Sequence, residues 1–283
     1  MNEILQKRRL SDQVYEMRIA APDIARERKP GQFVMLQLNR DYGERIPLTI
    51  ADAADGSITV IFQLVGKTTA DLSRLEEGEC VENILGPLGN PTRIERFGDV
   101  VCVGGGIGVA PLHPIAQAMK MAGNRVTVIE GARTRDLVIL EDRMRAVADE
   151  FILVTDDGSA GRKGLVTEPL RELCERGSSK TTGRRSPDLV VAIGPPIMMK
   201  FCAETTRPFA VPTVVSLNTI MVDGTGMCGG CRVTVGGQTK FVCVDGPEFD
   251  GHEVDFDNML KRLGSYKDQE ETARHKCRLE AMR

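Results

Sequence analysis

The hydrophobic pattern changes rhythm twice along the chain. Over residues 1–97, apolar and polar positions alternate in short runs broken by turn residues. QFVMLQL (32–38) and SITVIFQLV (57–65) have the period and the β-branched content of strands, and Asp55-Gly56 between flanking runs marks a hairpin. Several strands at this short spacing predict a small antiparallel β-barrel. From residue 99, five short apolar runs end in small or acidic residues: 99–106, 125–132, 151–158, 188–194 and 213–217. Segments of helical character separate them at 109–122, 137–148, 165–176 and 196–204. Such alternation predicts βαβ units and a parallel sheet with helices on both faces. The polar stretch 176–188 reads as a surface loop, its Arg184 and Arg185 solvated rather than a docking patch.

Beyond residue 217 the third rhythm begins. VDGTGMCGGCRVTVGGQTKFVCVDG (222–246) is rich in glycine and cysteine, and after it come a weak helical stripe (Phe256, Met259, Leu260, Leu263) and a highly charged end. The expected divisions are therefore a barrel over 1–97, an α/β domain over 98–217, a cysteine segment over 218–250 and a C-terminal arm over 251–283. The arm has too little apolar surface to fold alone, so it is expected to lie against this protein or a partner.

Composition removes several classes of function. A net charge of −3 over 283 residues, with basic clusters such as Lys7-Arg8-Arg9 lacking interleaved aromatics, argues against a nucleic-acid binder. Tryptophan is absent, which disfavours a groove built on aromatic stacking. No apolar run has the length of a membrane span and the start lacks a signal-peptide core, so a cytoplasmic location is expected. In that compartment eight cysteines do not form a disulfide framework. Cys80, Cys102, Cys174, Cys202 and Cys277 are solitary and read as plain thiols, whereas Cys228, Cys231 and Cys243 fall together.

Chemistry gathers at three places. Gly104-Gly105-Gly106-Ile107-Gly108-Val109-Ala110-Pro111 follows one predicted strand and opens one predicted helix, where glycines let a backbone approach a pyrophosphate and amides stabilise its charge. Val109 occupies the last glycine position of the G-x-G-x-x-G fingerprint, so the lineage differs from the usual dehydrogenases. Two other strand ends, Thr155-Asp156-Asp157-Gly158-Ser159 and Gly194-Pro195-Pro196-Ile197-Met198, fall on the edge where open α/β sheets bind ligands. Glu130 could accept from a ribose 2′-hydroxyl, while Arg133 and Arg135 could attract a 2′-phosphate. In the barrel half, RIPLTIAD (45–52) sets Arg45 and Thr49 on one face of a strand, a guanidinium suited to phosphate and a hydroxyl suited to a ring nitrogen. GKTTADLSRL (66–75) offers a second glycine turn into a helix, with Thr68 and Thr69 as donors, and GPLGNP (86–91) a rigid turn.

The third place has the spacing Asp-x4-Cys-x2-Cys-x11-Cys, from Asp223 to Cys243. Cys-x2-Cys is also half of a structural zinc site, but no second pair follows, and His252 lies nine residues past Cys243. The x4-then-x2 order is similar to plant-type iron–sulfur spacing with Asp223 in the first position, and Gly224, Gly226, Gly229 and Gly230 suit amides aimed at sulfur. A [2Fe–2S] cluster is the favoured occupant and zinc the alternative.

Taken in order, Arg-x-Pro-Leu-Thr, Gly-Gly-Gly-Ile-Gly-x-Ala-Pro and the late cysteines resemble the ferredoxin–NADP reductase superfamily, over roughly residues 3–250. Within it the chain is similar to the electron-transfer subunits of dihydroorotate dehydrogenase. Its Asp-plus-three-Cys set more closely resembles the small (alpha) subunits of NADH-dependent reduced ferredoxin:NADP oxidoreductases and sulfide dehydrogenase-type subunits. That resemblance implies FAD at Arg45, Pro47, Leu48 and Thr49, with Thr49 in the catalytic position near flavin N5 and Arg45 at the pyrophosphate. Gly66, Lys67 and Thr68 would complete the phosphate clamp. Gly105, Gly106, Gly108 and Pro111 would take NAD(H), with NADP(H) the alternative, and Asp157, Gly194 and Pro195 would line its path. Asp223, Cys228, Cys231 and Cys243 would ligate the cluster. Ile193 stands where the family has a cysteine beside the nicotinamide, so no thiol is expected in hydride transfer. The implied partner is a larger subunit carrying flavin and [4Fe–4S] clusters, forming a heterodimer docked through residues 250–283 and reaching ferredoxin indirectly; electron bifurcation would belong to that complex. The other readings are an electron-transfer subunit for dihydroorotate oxidation and a non-redox zinc-binding interaction protein.

Overall fold

The computed structural model describes residues 2–39, 44–178 and 186–266. The first half contains β1 (Asn2–Ser11), β2 (Val14–Ala20), α1 (Pro22–Glu27), β3 (Phe33–Gln37), β4 (Arg45–Ala54), β5 (Ser57–Gln63), α2 (Lys67–Leu72), β6 (Cys80–Val81) and β7 (Asn83–Leu88). These strands form one antiparallel sheet in the order β6-β1-β2-β5-β4-β3-β7, curled into a near-closed barrel. The hairpin between β4 and β5 turns at Asp55 and Gly56, whose φ values of 51° and 71° are those of a tight primed turn. Ile4, Met17, Ile19, Val34, Leu36, Ile50, Val60 and Phe62 fill the barrel.

Strand alternation then decides what faces outward. Directly opposed residues of antiparallel strands share a face. β3 pairs with β4 as Phe33↔Thr49, Met35↔Pro47 and Gln37↔Arg45. Arg45, Pro47 and Thr49 therefore lie on the outer face beside Phe33 and Met35, while Leu48, opposite Val34, packs on the barrel interior.

The second unit is β8 (Asp99–Gly105), α3 (Val109–Met121), β9 (Arg125–Ala132), α4 (Glu141–Val147), β10 (Glu150–Thr155), β11 (Arg162–Lys163), α5 (Thr167–Ser178), β12 (Leu189–Ile193), α6 (Pro196–Thr206) and β13 (Thr213–Ser216). Its strands run parallel in the order β11-β10-β9-β8-β12-β13. Alternate residues of β8 enter different cores, Val101 and Val103 one, Val100 and Cys102 the other, because both sheet faces are covered. The helix expected from 137 starts only at Glu141, since Leu140 has φ 59° and a right-handed helix cannot run through it. Barrel residues Val14, Ala51 and Ile61 share a core with Val109, Leu112 and Ala116 of α3, and the Arg143 guanidinium bonds both carboxylate oxygens of Glu16 at 2.6 and 3.1 Å.

The last part holds β14 (Arg232–Val235), β15 (Gln238–Phe241), α7 (Val242–Asp245), β16 (Glu248–Asp250) and α8 (Phe256–Leu263). The cysteine segment is less separate than its sequence suggests. β16 pairs antiparallel with β13 and becomes the seventh strand of the α/β sheet, an edge that supplies the hydrophobic support a short glycine-rich segment lacks. The described part of the C-terminal arm likewise folds onto this chain. α8 buries Phe256 and Met259, Asp257 pairs with Lys200 at 2.7 Å, and Arg262 donates to the Gly230 carbonyl at 3.2 Å. Residues 267–283 of that arm, and Arg184 and Arg185, lie outside the described residues. Among the described residues no helix is long and apolar enough to cross a membrane.

Candidate functional site

The glycine turn after β8 and the turn after β12 are pressed against each other. A Cβ on Gly108 would fall 2.3 Å from the Ile193 carbonyl oxygen, and one on Gly105 would fall 2.4 Å from Met198 Sδ and 3.2 Å from Pro195 Cδ. Gly194 in turn lies so close that its Cβ would come 3.1 Å from Gly105 Cα. Gly106 differs: its φ is +53° and none of the described residues stands within 4 Å of where its Cβ would be. A bare backbone at an open position, followed by α3 with Pro111 but no acidic residue in its first turn, is a cradle that fits a dinucleotide pyrophosphate.

Asp157 and Gly194 bracket this cradle, because their strands β10 and β12 lie on opposite sides of β8. The Asp157 carboxylate accepts from the Ser159 hydroxyl at 2.6 Å and the Ser159 amide at 2.9 Å, which hold it below the usual carboxylate range. Ser159 Oγ also accepts from the Arg135 amide at 2.8 Å, tying the loop after β10 to the loop after β9. The Arg135 side chain is paired with Glu141, while Arg133 is exposed.

Glu130 does not reach the ligand side. It is 1% exposed, both carboxylate oxygens are without a hydrogen-bond partner among the described residues, and it lies on the face of β9 that also carries Val126 and Val128. Burial first, then the Glu141 charge, push its pKa up to about 8. A strand-end acid in sequence thus becomes a core acid in the fold, since the strand runs two residues further, to Ala132, before the chain leaves the sheet.

In the barrel half, Arg45 is exposed with Nε bonded to Gln37 Oε1 at 3.4 Å, and Thr49 and Pro47 line the same outer face. Leu48 faces inward, so only its backbone is available to a ligand there. The α2 turn is more committed than expected. The Thr68 hydroxyl donates to Glu44, Thr69 Oγ1 accepts from Val65 N and Gly66 N at 3.1 Å each, and Lys67 pairs with Asp71 at 2.6 Å. Thr69 caps its own helix and is not a ligand donor in this conformation.

The cysteine loop packs against the barrel and the sheet together. Cys231 and Cys243 are each 2% exposed with sulfurs 3.3 Å apart, while Cys228 is exposed. The Gly230 amide donates to Cys228 Sγ at 3.3 Å, and the Gly226 amide is aimed at Cys243. The Asp223 carboxylate accepts from the amides of Thr225 and Cys228, both at 2.6 Å, and these bonds pull its pKa down to about 2. Burial, followed by the neighbouring Cys231, raises the Cys243 thiol. Among the described residues no three such side chains converge on one point, as Asp223 is turned to backbone amides. Paired buried sulfurs, amides directed at sulfur and an ionised carboxylate one turn away nevertheless constitute a donor set that fits a [2Fe–2S] cluster.

Residues outside the motifs hold these parts in register. The Asn90 amide donates to Gly246 O at 2.7 Å and its side chain to Val244 O at 3.1 Å. The Thr92 hydroxyl donates to Glu248 at 2.5 Å, and burial pushes that carboxyl up to about 7. Nothing local in sequence marks Asn90 or Thr92 beyond their place in a turn, because their partners are more than 150 residues away.

An antiparallel flavin-type barrel, a parallel nicotinamide-type sheet with a glycine turn, and a cysteine loop between them define a reductase of the ferredoxin–NADP reductase fold class with an iron–sulfur extension. Comparison with known proteins makes the assignment specific. Residues 102–204 match the oxidoreductase NAD-binding domain, and residues 218–255 match the iron–sulfur cluster binding domain of dihydroorotate dehydrogenase B. A Thermotoga maritima dihydroorotate dehydrogenase B (NAD(+)) electron transfer subunit homolog is 51% identical over 95% of this chain and 93% of its own length. A probable electron transfer subunit of the same enzyme from Methanocaldococcus jannaschii is 35% identical over 84% of each chain. The solved structure of an NADH-dependent reduced ferredoxin-NADP oxidoreductase, a flavin-based electron-bifurcating enzyme, superposes with a TM-score of 0.89 at 47% identity, covering 98% of this chain and 97% of that one. The cytochrome b5 reductase domain of Ulva prolifera nitrate reductase, at 18% identity and a TM-score of 0.59 over 76% of this chain and 95% of its own, shares the fold. The chain belongs to the family of dihydroorotate dehydrogenase B electron transfer subunits and their homologues. It is an electron-transfer oxidoreductase subunit that works with FAD, NAD(H) and an iron–sulfur cluster.

Proposed function

We propose that this chain is the small, cytoplasmic subunit of a heterodimer of the NADH-dependent reduced ferredoxin:NADP oxidoreductase type, delivering electrons to a larger subunit that carries flavin and [4Fe–4S] clusters and meets ferredoxin. The observation that carries this reading is the meeting of three parts around β3. Its outward Phe33 and Met35 neighbour Thr49 and Pro47 on one side and, on the other, share a buried core with Val101 and Val103 of β8 and with Cys231 and Cys243.

The residues divide the work. Bound FAD would supply a hydride acceptor for the nicotinamide, and a [2Fe–2S] cluster would supply onward carriage of single electrons. Arg45 offers its guanidinium to the flavin pyrophosphate, with Gly66, Lys67 and Thr68 at the turn beside it, and Thr49 presents its hydroxyl toward the flavin ring with Pro47 and the Leu48 backbone. Gly105, Gly106, Gly108 and Pro111 receive the dinucleotide, Gly194 and Pro195 close over one side of it, and Asp157 faces the other. Asp223, Cys228, Cys231 and Cys243 hold the cluster, which requires the Asp223 carboxylate to exchange its amide bonds for metal. Asp157 holds its negative charge at this rim, and Arg135 is neutralised by Glu141, so the site favours NAD(H) over NADP(H).

Visible spectroscopy of anaerobically purified protein, with FAD, iron, acid-labile sulfide and zinc assayed on the same sample, tests the reading. About two irons and two sulfides per chain with bound FAD are expected; zinc without flavin would refute it. Several relatives are named as dihydroorotate dehydrogenase B electron transfer subunits, which supports dihydroorotate oxidation as a second reading. The protein that co-purifies decides between them.

A further inference from the structure

One side chain stands between the flavin-side strand and the cysteine loop. Met35 is 2% exposed, faces out of the barrel opposite Pro47, and belongs to the same core as Cys231 and Cys243. Gly224, next to Asp223, rests on it. A Cβ at 224 would come 2.5 Å from Met35 Cγ, 3.0 Å from Sδ and 3.2 Å from Leu88 Cδ1, too close to its nearest neighbour by about 1 Å. Across the loop, Asn90 grips the chain just past Cys243 through Gly246 O at 2.7 Å and Val244 O at 3.1 Å. Both ends of the cysteine loop are thus fastened to the barrel edge, at points the motif does not include.

We propose that Met35, Gly224 and Asn90 are positioning residues that set the gap between the flavin-binding face of the barrel and the cysteine loop, the gap an electron must cross within this chain. The inference rests on the function proposed above. Electron transfer falls steeply with distance, so a contact too tight for one methyl group fixes a rate as well as a shape. Gly224 meets two separate requirements. Its φ of +76° calls for glycine or asparagine, whereas its contact with Met35 leaves no room for a Cβ unless the Met35 side chain shifts. Asparagine satisfies the first and violates the second.

The test uses the full chain, loaded with FAD and cluster, as wild type, Gly224→Asn and Gly224→Asn/Met35→Ala. FAD and iron content, hydrogen exchange of the Asn90 amide, and the separate rates of flavin and cluster reduction after mixing with NADH are measured. Gly224→Asn is expected to keep its FAD and its rate of flavin reduction, while cluster reduction slows and the Asn90 amide exchanges faster, each by about tenfold. Removing the Met35 side chain restores room, so the double variant returns toward wild type in both. Unchanged exchange and cluster reduction in Gly224→Asn, or a double variant as impaired as the single, overturns the proposal. Should Gly224→Asn lose its cluster, retention by the double variant supports the proposal and loss from both overturns it. Wild-type protein without FAD or iron refutes the proposed function, and the exchange measurement then decides by itself whether the loop is seated through these contacts.

Discussion

The glycine turn at Gly105–Gly108 and the cysteine loop at Asp223–Cys231 look alike in sequence, yet apart from Gly106, at φ +53°, their glycines answer different physical demands. Gly105 and Gly108 are required because another turn occupies the space a Cβ would need, and their φ values lie outside the left-handed range. Gly224, Gly226 and Gly229 are required first because the backbone turns left-handed, with φ of 76°, 88° and 64°. The first region is rigid by packing and anchored in the centre of a seven-stranded sheet. The second is a bent loop whose shape depends on a few amides, a carboxylate and whatever its sulfurs bind. Nucleotide sites can be preformed by a sheet, whereas a thiolate site is completed by its metal.

The strongest way to break this contrast is Gly108→Ala. Its Cβ meets backbone at the Ile193 carbonyl, which cannot rotate aside, so a loss of about 1–3 kcal/mol and of NADH-driven flavin reduction is expected. Calorimetry and stopped-flow absorbance check it; full activity in the Gly108→Ala variant would show that the two turns are not in contact. Cys243→Ala should act on the other region alone. Iron and labile sulfide are lost, while NADH still reduces the flavin, and simultaneous loss of both would mean that the regions fold as one unit.

A subtler comparison uses Gly229, whose Cβ would have only Phe241 nearby among the described residues, at 3.5 Å. Gly229→Asn should hold its iron, whereas Gly229→Val should lose about 1–2 kcal/mol in the apo chain, because the demand is on φ and not on space. Equal behaviour of the two variants would remove the distinction drawn between the regions.

The last comparison, made through pH and not through shape, concerns Glu130, beneath the nucleotide side. Its folded pKa is raised to about 8, so the folded chain keeps this proton over a range in which the unfolded chain has released it. Stability linked to the proton is complete below about pH 4 and is lost as pH rises toward 8. Glu130→Gln should therefore match wild type near pH 4 and exceed it in Tm near pH 8, by more than about 4 °C. Parallel pH profiles would show that the carboxylate ionises without cost and that this side of the sheet is less closed than its packing indicates.

Sequence by itself determined the parts. Strand period placed Arg45 and Thr49 on one face, the switch to βαβ rhythm placed the glycine turn at a strand end, and cysteine spacing set Cys228, Cys231 and Cys243 apart from the solitary thiols. Each of these is a local property, fixed by neighbours a few residues away, and so it is legible in a single chain. Tertiary structure alone decided how the parts meet. It turned Leu48 inward and buried Glu130, engaged Thr68 and Thr69 within the barrel half, and carried β16 onto the edge of the α/β sheet. It also set Asn90 on residues past Cys243 and Met35 on Gly224, contacts whose partners lie more than 150 residues apart. Such contacts leave no periodic trace, because a hydrogen bond or a close approach between distant segments is set by how sheets stack and where edges remain free.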